Sequence, residues 1–500
     1  MPKAMTPDAR LSFRFAVLFM LLALLLAAGT AMAQVPITQI SNDTFNNTTS
    51  QHETEVEPAS FSFGATIVTT FQTGRFTDGG SSDIGFATST DHGSTWTHGN
   101  LPGITKVEGT GTYDRASDTA VTYNTKFKLW LVETLALSQT GGAHGQAVLV
   151  SSSKDGITWN MPATVSVAES NGFYDKPWIG CDNTPTSPHY GNCYVEWDDF
   201  SLGDQLEMST STDGGATWST KKTTAGSPFG TGGIPLAQPN GTVIVPSDDQ
   251  FASSVQAFKS TDGGNTWGAP AFITSISEHG VAGGMRAIPL IGATIDASGK
   301  VYVVWADCRF RTNCASNDIV MTTSTDGTTW SAVMRIPIDP TTSSVDHFTP
   351  GIGIQPGTSG STAHIGLMYN FFPKANCGSS CNLGVGYVSS TNGGATWSAP
   401  RVMAKGINPN WLPSTTSGQM AGDYNTTTFP GARSHSVFAT ASAPVGTTLN
   451  EPMDTNAVGM TAASADEPQF SSANDKPVPN AHSDVPRRTK PHRDDGVGER

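Results

Sequence analysis

Short runs of apolar and β-branched residues fill most of the chain, and turn-forming residues separate them at regular distances. One stretch shows the unit clearly, and there we predict strands over residues 287–295, 301–305, 319–324 and 330–336. A tight turn over residues 296–300 joins the first two of these strands. Because the unit recurs along the chain, the pattern predicts an all-β fold built from repeated four-stranded sheets.

The third predicted strand of each unit ends in the same turn sequence, Ser-x-Asp-x-Gly-x-Thr-Trp or a close variant. The six copies, called turn motifs below, begin at Ser89, Ser153, Ser211, Ser260, Ser324 and Ser390. The second and fifth copies lack one residue between Asp and Gly, and the sixth has Asn392 in place of Asp. The chemistry suits a hairpin: Asp caps local amides, Gly takes positive φ, and Trp starts the next strand.

This turn sequence is that of the Asp box, and residues 56–440 resemble the bacterial neuraminidase repeat proteins, the sialidase superfamily of β-propellers. The resemblance implies that each unit is one blade and that the turn motifs face away from a catalytic mouth. It implies less about activity, because Asp boxes also occur in propellers of other function.

Strand-like segments remain outside the six units, at residues 35–40, 420–428 and 434–440. We predict that they form a seventh blade, in which the N-terminal strand pairs with C-terminal strands and removes exposed edges. Six blades, as in the sialidases, is the alternative.

Both ends of the chain differ from the repeats. Residues 1–33 have the pattern of a secretory signal, with basic residues before an apolar run and Ala31-Met32-Ala33 as the cleavage site; a membrane anchor is disfavoured because the run is short. We expect the propeller over residues 34–445 and, by composition, a disordered tail over residues 446–500. The protein is therefore expected to be secreted or periplasmic.

The net charge and the cysteines limit which partners and cofactors are expected. The net charge of −14 argues against nucleic acid and anionic membrane surfaces as partners, and we expect no other stretch of the sequence to cross a bilayer. The six cysteines form three close pairs, Cys181/Cys193, Cys308/Cys314 and Cys377/Cys381, which predict local disulfides; the rival metal site lacks ligands at zinc spacing. We expect a monomer with no metal and no other cofactor.

Residues at the beginnings of the first strands and the ends of the second strands should converge on one mouth, on the rim opposite the turn motifs. The candidate catalytic residues are Tyr113, Asp114, Tyr174, Asp175, Asp346 and Tyr424. The candidate substrate-binding residues are Glu57, Arg115, Glu196, Arg286, Arg309, Arg311 and His347. The competing interpretation of each residue is a turn cap or a polar side chain beside water at the axis.

The resemblance implies a demanding chemistry. Sialidases hold the substrate carboxylate with three arginines, attack with a Tyr activated by Glu, and use Asp as acid and base. Their first arginine lies in an Arg-Ile-Pro motif of the first blade, where this chain has Glu57-Pro58. Arg335-Ile336-Pro337 repeats the motif, but on a predicted outer strand, so we reject it as a ligand. Arg286 is better placed, and Arg115 with Arg309 or Arg311 would complete a set of three.

Two functions follow. The first is an exo-glycosidase of sialidase type, acting on terminal sugars of glycans, sialic acid among them. The second is a non-catalytic secreted propeller that binds glycan or protein, which the missing Arg-Ile-Pro motif favours. The expected partner is a glycan or glycoconjugate, with a protein as the alternative for the second function.

Overall fold

The computed structural model describes residues 34–226, 229–465, 476 and 478, and their regular elements are β-strands and short 3-10 turns. The first strand is β1 (Ile37–Gln39), and six antiparallel groups of four strands, called sheets below, then follow along the chain. The first three groups are joined into one twelve-stranded sheet by the single pairings Ser81–Ala116 and Tyr174–Gly145. The predicted signal segment lies outside the described residues. None of the described residues belongs to a helix of the length and hydropathy needed to cross a bilayer.

Each of the six sheets is formed by four consecutive strands. Sheets one to three contain β2 (Gln51–Phe63), β3 (Thr66–Arg75), β4 (Ser81–Ser89), β5 (Thr97–Asn100), β6 (Arg115–Asn124), β7 (Leu129–Ser138), β8 (His144–Ser153), β9 (Ala163–Val167), β10 (Tyr174–Cys181), β11 (Cys193–Asp199), β12 (Gln205–Ser211) and β13 (Lys222–Thr223). Sheets four to six contain β14 (Leu236–Ala237), β15 (Val243–Asp248), β16 (Ser254–Ser260), β17 (Ala271–Ser275), β18 (Gly292–Ile295), β19 (Val301–Asp307), β20 (Asp318–Ser324), β21 (Met334–Arg335), β22 (Asp346–Ile354), β23 (Ile365–Phe372), β24 (Leu383–Ser390) and β25 (Arg401–Ile407).

The chain then forms a small hairpin and a last sheet. The hairpin pairs β26 (Ser414–Thr415) with β27 (Gly418–Gln419). The last sheet contains β28 (Thr426–Thr428), β29 (Arg433–Ala439) and β30 (Met453–Asn456), with β31 (Met460–Thr461) pairing the start of β29. β1 pairs with β30 and completes this sheet from the N-terminal side, as the sequence predicts. The 3-10 turns cover Phe200–Leu202, Thr312–Cys314, Gly360–Thr362, Gly378–Ser380 and Pro409–Trp411.

The sheets are arranged around an axis in a propeller-like fold. The first strands β2, β6, β10, β14, β18, β22 and β28 contact one another in chain order, and β28 contacts β2. Apolar clusters lie between successive sheets; one joins Val68 of sheet one to Val132 of sheet two, and another joins Phe438 of the last sheet to Met403 of sheet six. A further cluster joins Val437 of the last sheet to Phe71 of sheet one. The core is therefore divided among the interfaces between neighbouring sheets.

The turn motifs are stabilised by their own side chains. In the first motif the Ser89 hydroxyl accepts the Gly93 N–H at 2.8 Å, and the Asp91 carboxylate accepts the N–H groups of Ser94 and Thr95 at 3.0 and 2.8 Å. The same pattern recurs around Asp213, Asp262 and Asn392. Because neighbouring strands are antiparallel, the turn motifs lie at the same end of each sheet as the turns between its first and second strands. The rim of the propeller-like fold formed by these ends is called the turn rim below. The opposite rim, where each first strand begins, is called the first-strand rim.

The structure confirms the three predicted disulfides, Cys181–Cys193, Cys308–Cys314 and Cys377–Cys381. It differs from the sequence pattern at the C-terminal boundary, because β30 and β31 lie beyond residue 445. Their sequences are too short and polar to show alternation. Further on, Val478 exchanges two backbone hydrogen bonds with Val333, at 2.9 and 3.0 Å. Of the predicted tail, residues 446–465, 476 and 478 are described, and the rest lies outside the described residues.

Candidate functional site

β-Bulges near the beginnings of four first strands turn selected side chains toward the axis. They lie between Val56 and Ala59 in β2, Ser117 and Thr119 in β6, Asp175 and Trp178 in β10, and Phe348 and Gly351 in β22. The first residue within each bulge is Glu57, Asp118, Lys176 or Thr349, and in β2, β10 and β22 a proline follows it. Three of these have positive φ, at 56°, 47° and 45° for Glu57, Lys176 and Thr349. A bulge re-aims a side chain, so three ionisable groups from neighbouring sheets meet at the axis.

Lys176 is the centre of this group, which we call the axial network. Its Nζ lies 2.8 Å from Asp423 Oδ2, 3.4 Å from Asp118 Oδ1 and 3.7 Å from Glu57 Oε1. Glu57 also accepts a short hydrogen bond from the Gln72 amide. The ammonium group therefore joins carboxylates from sheet one, sheet two and the segment that leads into β28.

Arg286 completes the axial network from the segment that leads into β18. Its Nε and Nη2 donate to the two oxygens of Asp423 at 2.8 and 2.6 Å, a bidentate pair. The Arg286 N–H also donates to the Gln419 carbonyl oxygen at 2.9 Å. Arg286 is 7 % exposed and Asp423 is 2 % exposed, so this pair is buried.

The surroundings of the three carboxyl groups in the axial network shift their pKa values in opposite directions. Burial raises the pKa of Glu57 to about 8, although Lys176 opposes the shift. Burial also raises the pKa of Asp118. For Asp423, burial is outweighed by Arg286 and Lys176, which hold its pKa below the ordinary value. The axial network therefore contains one firmly ionised carboxylate and two carboxyls that retain their protons more readily.

A cavity of about 520 Å³ follows the first strands along the axis. Asp118, Lys176 and Tyr424 line one end of it, and apolar side chains such as Phe61 and Trp178 line its walls. The rings of Trp178 and Tyr424 meet edge to face, with centroids 5.3 Å apart. The Tyr424 hydroxyl accepts the Thr119 N–H at 3.1 Å. An apolar cavity with a few polar groups at one end is the usual form of a small-molecule site.

The structure brings together some of the residues singled out from the sequence. Glu57 and Arg286 belong to the axial network, and Tyr424 lies beside it on the cavity wall. Asp175 is buried next to Lys176, and its carboxylate accepts the Lys176 N–H at 2.9 Å.

Three candidates at the start of β6 or just before it lie outside the axial network. Asp114 is 2.6 Å from Lys106 Nζ and accepts the Gln139 N–H at 2.8 Å, in a partly exposed loop. Arg115 pairs with Asp78 at 2.7 Å and lies over the Phe76 ring. Tyr113 pairs through its backbone with Thr105.

Two candidates from sheet three lie outside the axial network. The Tyr174 hydroxyl contacts Ser166 and the Val167 carbonyl oxygen at 3.0 and 3.2 Å, and its ring packs against Trp197. Glu196 pairs with Trp178 through the backbone, one strand outward from the axis, and it is fully buried.

The remaining arginine candidates each bind a different carboxylate. Arg309 binds Asp307, with its Nη2 2.7 Å from Oδ2. Arg311 binds Asp318 and Asp339, at 2.5 Å each. Together with the Arg115–Asp78 and Arg286–Asp423 pairs, these contacts do not form the set of three arginines that the resemblance implies.

Asp346 and His347 begin β22 but face the neighbouring loop. Asp346 accepts the Asn317 N–H at 2.7 Å, and burial raises its pKa to about 7. His347 Nδ1 lies 3.2 Å from the Asn317 carbonyl oxygen, and burial lowers the pKa of this imidazole.

A second charged cluster, called the peripheral network below, lies between sheets five and six. Arg311 and Arg335 both bind Asp318 and Asp339, and His347 Nε2 is 4.0 Å from Asp339. Among the described residues, Asp318, Asp339 and His347 are the one group whose ligand atoms lie close enough together for a metal ion. Because two guanidinium groups already bind these carboxylates, the geometry supports an ion network and not a metal site. Arg335 is on the outer strand β21, as the sequence predicts.

Three members of the axial network, Asp118, Lys176 and Asp423, are not among the candidate catalytic or substrate-binding residues. Lys176 and Asp423 do lie at strand beginnings that the sequence predicts to converge on the mouth, whereas Asp118 was missed. A signal was present for one of the three. Polar-proline pairs at Glu57-Pro58, Lys176-Pro177 and Thr349-Pro350 coincide with three of the bulges. Proline lacks a backbone donor and is tolerated at bulges and sheet edges, so such a pair near the start of a first strand marks an axial residue.

No protein-family model matches the sequence, and no curated protein is significantly similar to it. The fold is similar to several solved structures at low identity. An ulvan lyase of polysaccharide lyase family 25 has 10% identity over 83% of this chain and 95% of its own, with a TM-score of 0.48. The α-L-arabinanase of Penicillium chrysogenum has 12% identity over 71% and 98%, with a TM-score of 0.45. The Hadza microbial sialidase Hz136 has 16% identity and a TM-score of 0.43; the match covers 64% of this chain and 64% of the sialidase.

Proposed function

We propose that this protein is a glycan-processing propeller that holds the end of a sugar chain in the axial cavity and cleaves its terminal glycosidic bond. The observation that carries the proposal is the cavity of about 520 Å³ with Asp118, Lys176 and Tyr424 at one end. Apolar walls suit the faces of sugar rings, and the polar end would fix their orientation.

Asp118 is the proposed proton donor. It lines the cavity, is 3 % exposed, and has a pKa raised by burial, so it keeps a proton closer to neutral pH than an ordinary aspartate. Glycosidases use such a carboxyl to protonate the oxygen of the leaving group.

Tyr424 is the proposed nucleophile. Its hydroxyl lies at the same end of the cavity and accepts the Thr119 N–H, which leaves the O–H proton to be donated. Burial and the neighbouring Glu57 raise the pKa of Tyr424. Attack at the anomeric carbon therefore requires the phenolic proton to pass to a carboxylate of the axial network as the new C–O bond forms and the glycosidic bond breaks.

The charge of the site favours a neutral terminal sugar over sialic acid. Lys176 and Arg286 already bind Asp423, and the other candidate arginines bind carboxylates of their own. A sialic acid carboxylate would have to displace one of these partners, whereas a neutral sugar needs only hydroxyl contacts.

We also infer a propeller of seven blades, the seventh formed by β28, β29, β30 and β1. The inference is supported by the contact of β28 with both β22 and β2, and by the apolar cluster between the last sheet and sheet one. Closure by an N-terminal strand is a common way to remove free sheet edges.

Release of 4-methylumbelliferone from a panel of neutral glycosides and one sialoside tests the proposed activity. We expect turnover on a neutral substrate, reduced about 100-fold or more by Asp118→Asn, since general acid catalysis contributes about 10²–10⁴-fold. Asp114→Asn is the matched control, because this carboxylate binds Lys106 outside the cavity. Absence of turnover on the whole panel, or equal loss in both variants, would contradict the proposal.

A non-catalytic glycan-binding protein is the second candidate, and one observation favours it. The carboxylates that line the cavity are Asp118 and Asp296, and Asp296 accepts N–H groups from Ser298 and Gly360 at the other end. Among the residues that the structure describes, Asp118 therefore has no second carboxylate facing it across the cavity. Saturable binding by calorimetry, with no product and with unchanged affinity in Asp118→Asn, would assign this function.

A further inference from the structure

One end of the axial cavity is closed by the axial network. Lys176 and Asp118 line this end, whereas Glu57, Arg286 and Asp423 lie behind Lys176 and do not line the cavity. All five residues are less than a tenth exposed. The cavity therefore ends at a wall of paired charges, and opening this wall would separate buried ion pairs.

A segment of the chain also covers the first-strand rim above this wall. This segment, Pro413–Met420, is called the strap. Ser414 exchanges two hydrogen bonds of 2.9 Å with the Gln51 amide, at the start of β2. Gln419 pairs with the segment before β18, donating to the Gly284 carbonyl oxygen at 2.8 Å and accepting the Arg286 N–H at 2.9 Å. The strap thus connects β2 of sheet one to the segment before β18 of sheet five. It also binds the backbone of Arg286, a member of the axial network.

The other end of the cavity reaches the turn rim. Three residues that line it there, Ala297, Pro356 and Gly357, are exposed. They belong to the turns that follow the first strands of sheets five and six. In contrast to the buried end, these lining residues are in contact with solvent.

The cavity is deeper than a single sugar ring. Lys176 at the buried end and Cys181 toward the turn rim both line it, and five residues of extended strand span about 17 Å. Polar side chains, among them Thr184 and Gln355, line the part near the turn rim. A ligand that fills this length must be slender and must offer hydroxyl groups along it.

We propose that the axial cavity is a blind tunnel with its mouth on the turn rim, and that this mouth is an outer binding site for the sugars behind the terminal one of a linear neutral glycan. The identity of the ligand rests on the proposed function; the location of the mouth does not. This location is opposite to the rim on which the sequence pattern placed the site. The chain end would pass the turns of sheets five and six before its terminal sugar meets Asp118 and Tyr424.

Cysteine labelling in the full-length protein tests the mouth without any glycan. The six cysteines of the sequence are all in disulfides, so Thr294→Cys adds one thiol inside the cavity. Its modification by a small methanethiosulfonate reagent is followed by mass spectrometry. We expect Ala297→Trp, which fills the mouth, to slow labelling at least tenfold. Ser414→Trp on the strap is the matched control and should leave the rate unchanged.

Each outcome decides the proposal. Slower labelling in Ala297→Trp alone supports a mouth on the turn rim. Slower labelling in Ser414→Trp alone, equal labelling rates in the two tryptophan variants, or no labelling of Thr294→Cys in folded protein overturns it. Ala237→Cys, which also lines the cavity, gives a second thiol position if Thr294→Cys does not fold.

A glycan experiment then tests the outer binding site. We expect Ala297→Trp to weaken binding of a neutral tetrasaccharide at least tenfold more than binding of the monosaccharide, whereas Ser414→Trp affects neither. Equal losses for both sugars would contradict an outer site. Failure of every sugar to bind, with the labelling result intact, would contradict the proposed function and leave the position of the mouth standing.

Discussion

The axial and peripheral networks have similar compositions and different surroundings. Each contains two cations that share carboxylates, Lys176 and Arg286 at the axis and Arg311 and Arg335 between sheets five and six. In the peripheral network, Arg311 also donates to the carbonyl oxygens of Pro340 and Ser343 at 2.9 and 3.0 Å. It therefore fastens the connection between two sheets.

The axial network connects more strands and segments than the peripheral network does, and it also contacts a cavity. Its members come from the first strands of sheets one, two and three and from the segments that lead into β18 and β28. Asp118 and Lys176 contact the cavity, whereas no member of the peripheral network lines it. Buried charge alone thus does not distinguish the two networks; contact with a cavity large enough for a ligand does.

The largest effects should come from removing one cation of each network. Lys176→Met and Arg335→Met should each lower the free energy of unfolding by about 3–5 kcal/mol, because each leaves buried carboxylates without part of their compensation. Urea unfolding measures both. Only Lys176→Met should also change glycan binding at the axial cavity, measured by calorimetry below the unfolding transition.

Lys106→Met is the control for these substitutions, because this exposed cation pairs with Asp114 at the surface and should cost less than about 1 kcal/mol. The comparison fails if Arg335→Met weakens glycan binding as strongly as Lys176→Met does. It also fails if Lys176→Met lowers the free energy of unfolding as little as Lys106→Met does.

A second, smaller effect concerns pH and belongs to the axial network. Glu57 has a pKa of about 8 in the folded protein, against an ordinary value of 4.5. Between these values the folded state holds a proton that the unfolded state has lost, so the free energy of unfolding falls as pH rises, by up to about 1.4 kcal/mol per unit. Glu57→Gln removes this dependence, so its stability should fall less from pH 6 to pH 8 than that of the wild type.

Urea unfolding at both pH values measures the difference, with Glu169→Gln as the exposed control. A slope that is identical in wild type and Glu57→Gln would show that Glu57 is already ionised in the folded state, held by Lys176. In that case Asp118 would face a fully charged axial network, and its role as proton donor would lose support.

The repeating part of the fold could be predicted because its causes are local. Each turn motif carries its own hydrogen-bonding groups, such as Ser89 and Asp91, within a few residues of the amides that they bind. The disulfides likewise link cysteines close in sequence. The pairing of β1 with a C-terminal strand could be predicted from the leftover strands, whereas β30 was missed because four residues, Met453–Asn456, show no alternation.

The axial residues were harder to predict, because bulges change which side chain faces the axis. A shift of one residue exchanges the two faces of a strand. The sequence pattern selected Tyr174 and Asp175, but the bulge in β10 gives the axial position to Lys176. In sheet two the candidates were Asp114 and Arg115, whereas the bulge places Asp118 at the axis. Partners such as Asp423 are far away in sequence and could not be paired with Arg286 from spacing.

The smallest expected effect compares two tryptophans, one from each kind of environment. Trp178 lines the cavity beside Tyr424, whereas Trp305 is fully buried in the core between sheets four and five and donates to Asp307 at 3.0 Å. Trp178→Phe should weaken glycan binding about three- to tenfold, or about 0.7–1.4 kcal/mol, by reducing the aromatic surface offered to a sugar ring. Trp305→Phe should instead lower the free energy of unfolding by about 1–3 kcal/mol, because it removes one of the three donors to the Oδ2 atom of buried Asp307. Glycan binding should stay unchanged. Calorimetry measures glycan binding and urea unfolding measures stability in both variants. An equal loss of binding in Trp305→Phe and Trp178→Phe would contradict this comparison. It would mean that the cavity wall depends on the packing between sheets as much as on its own side chains.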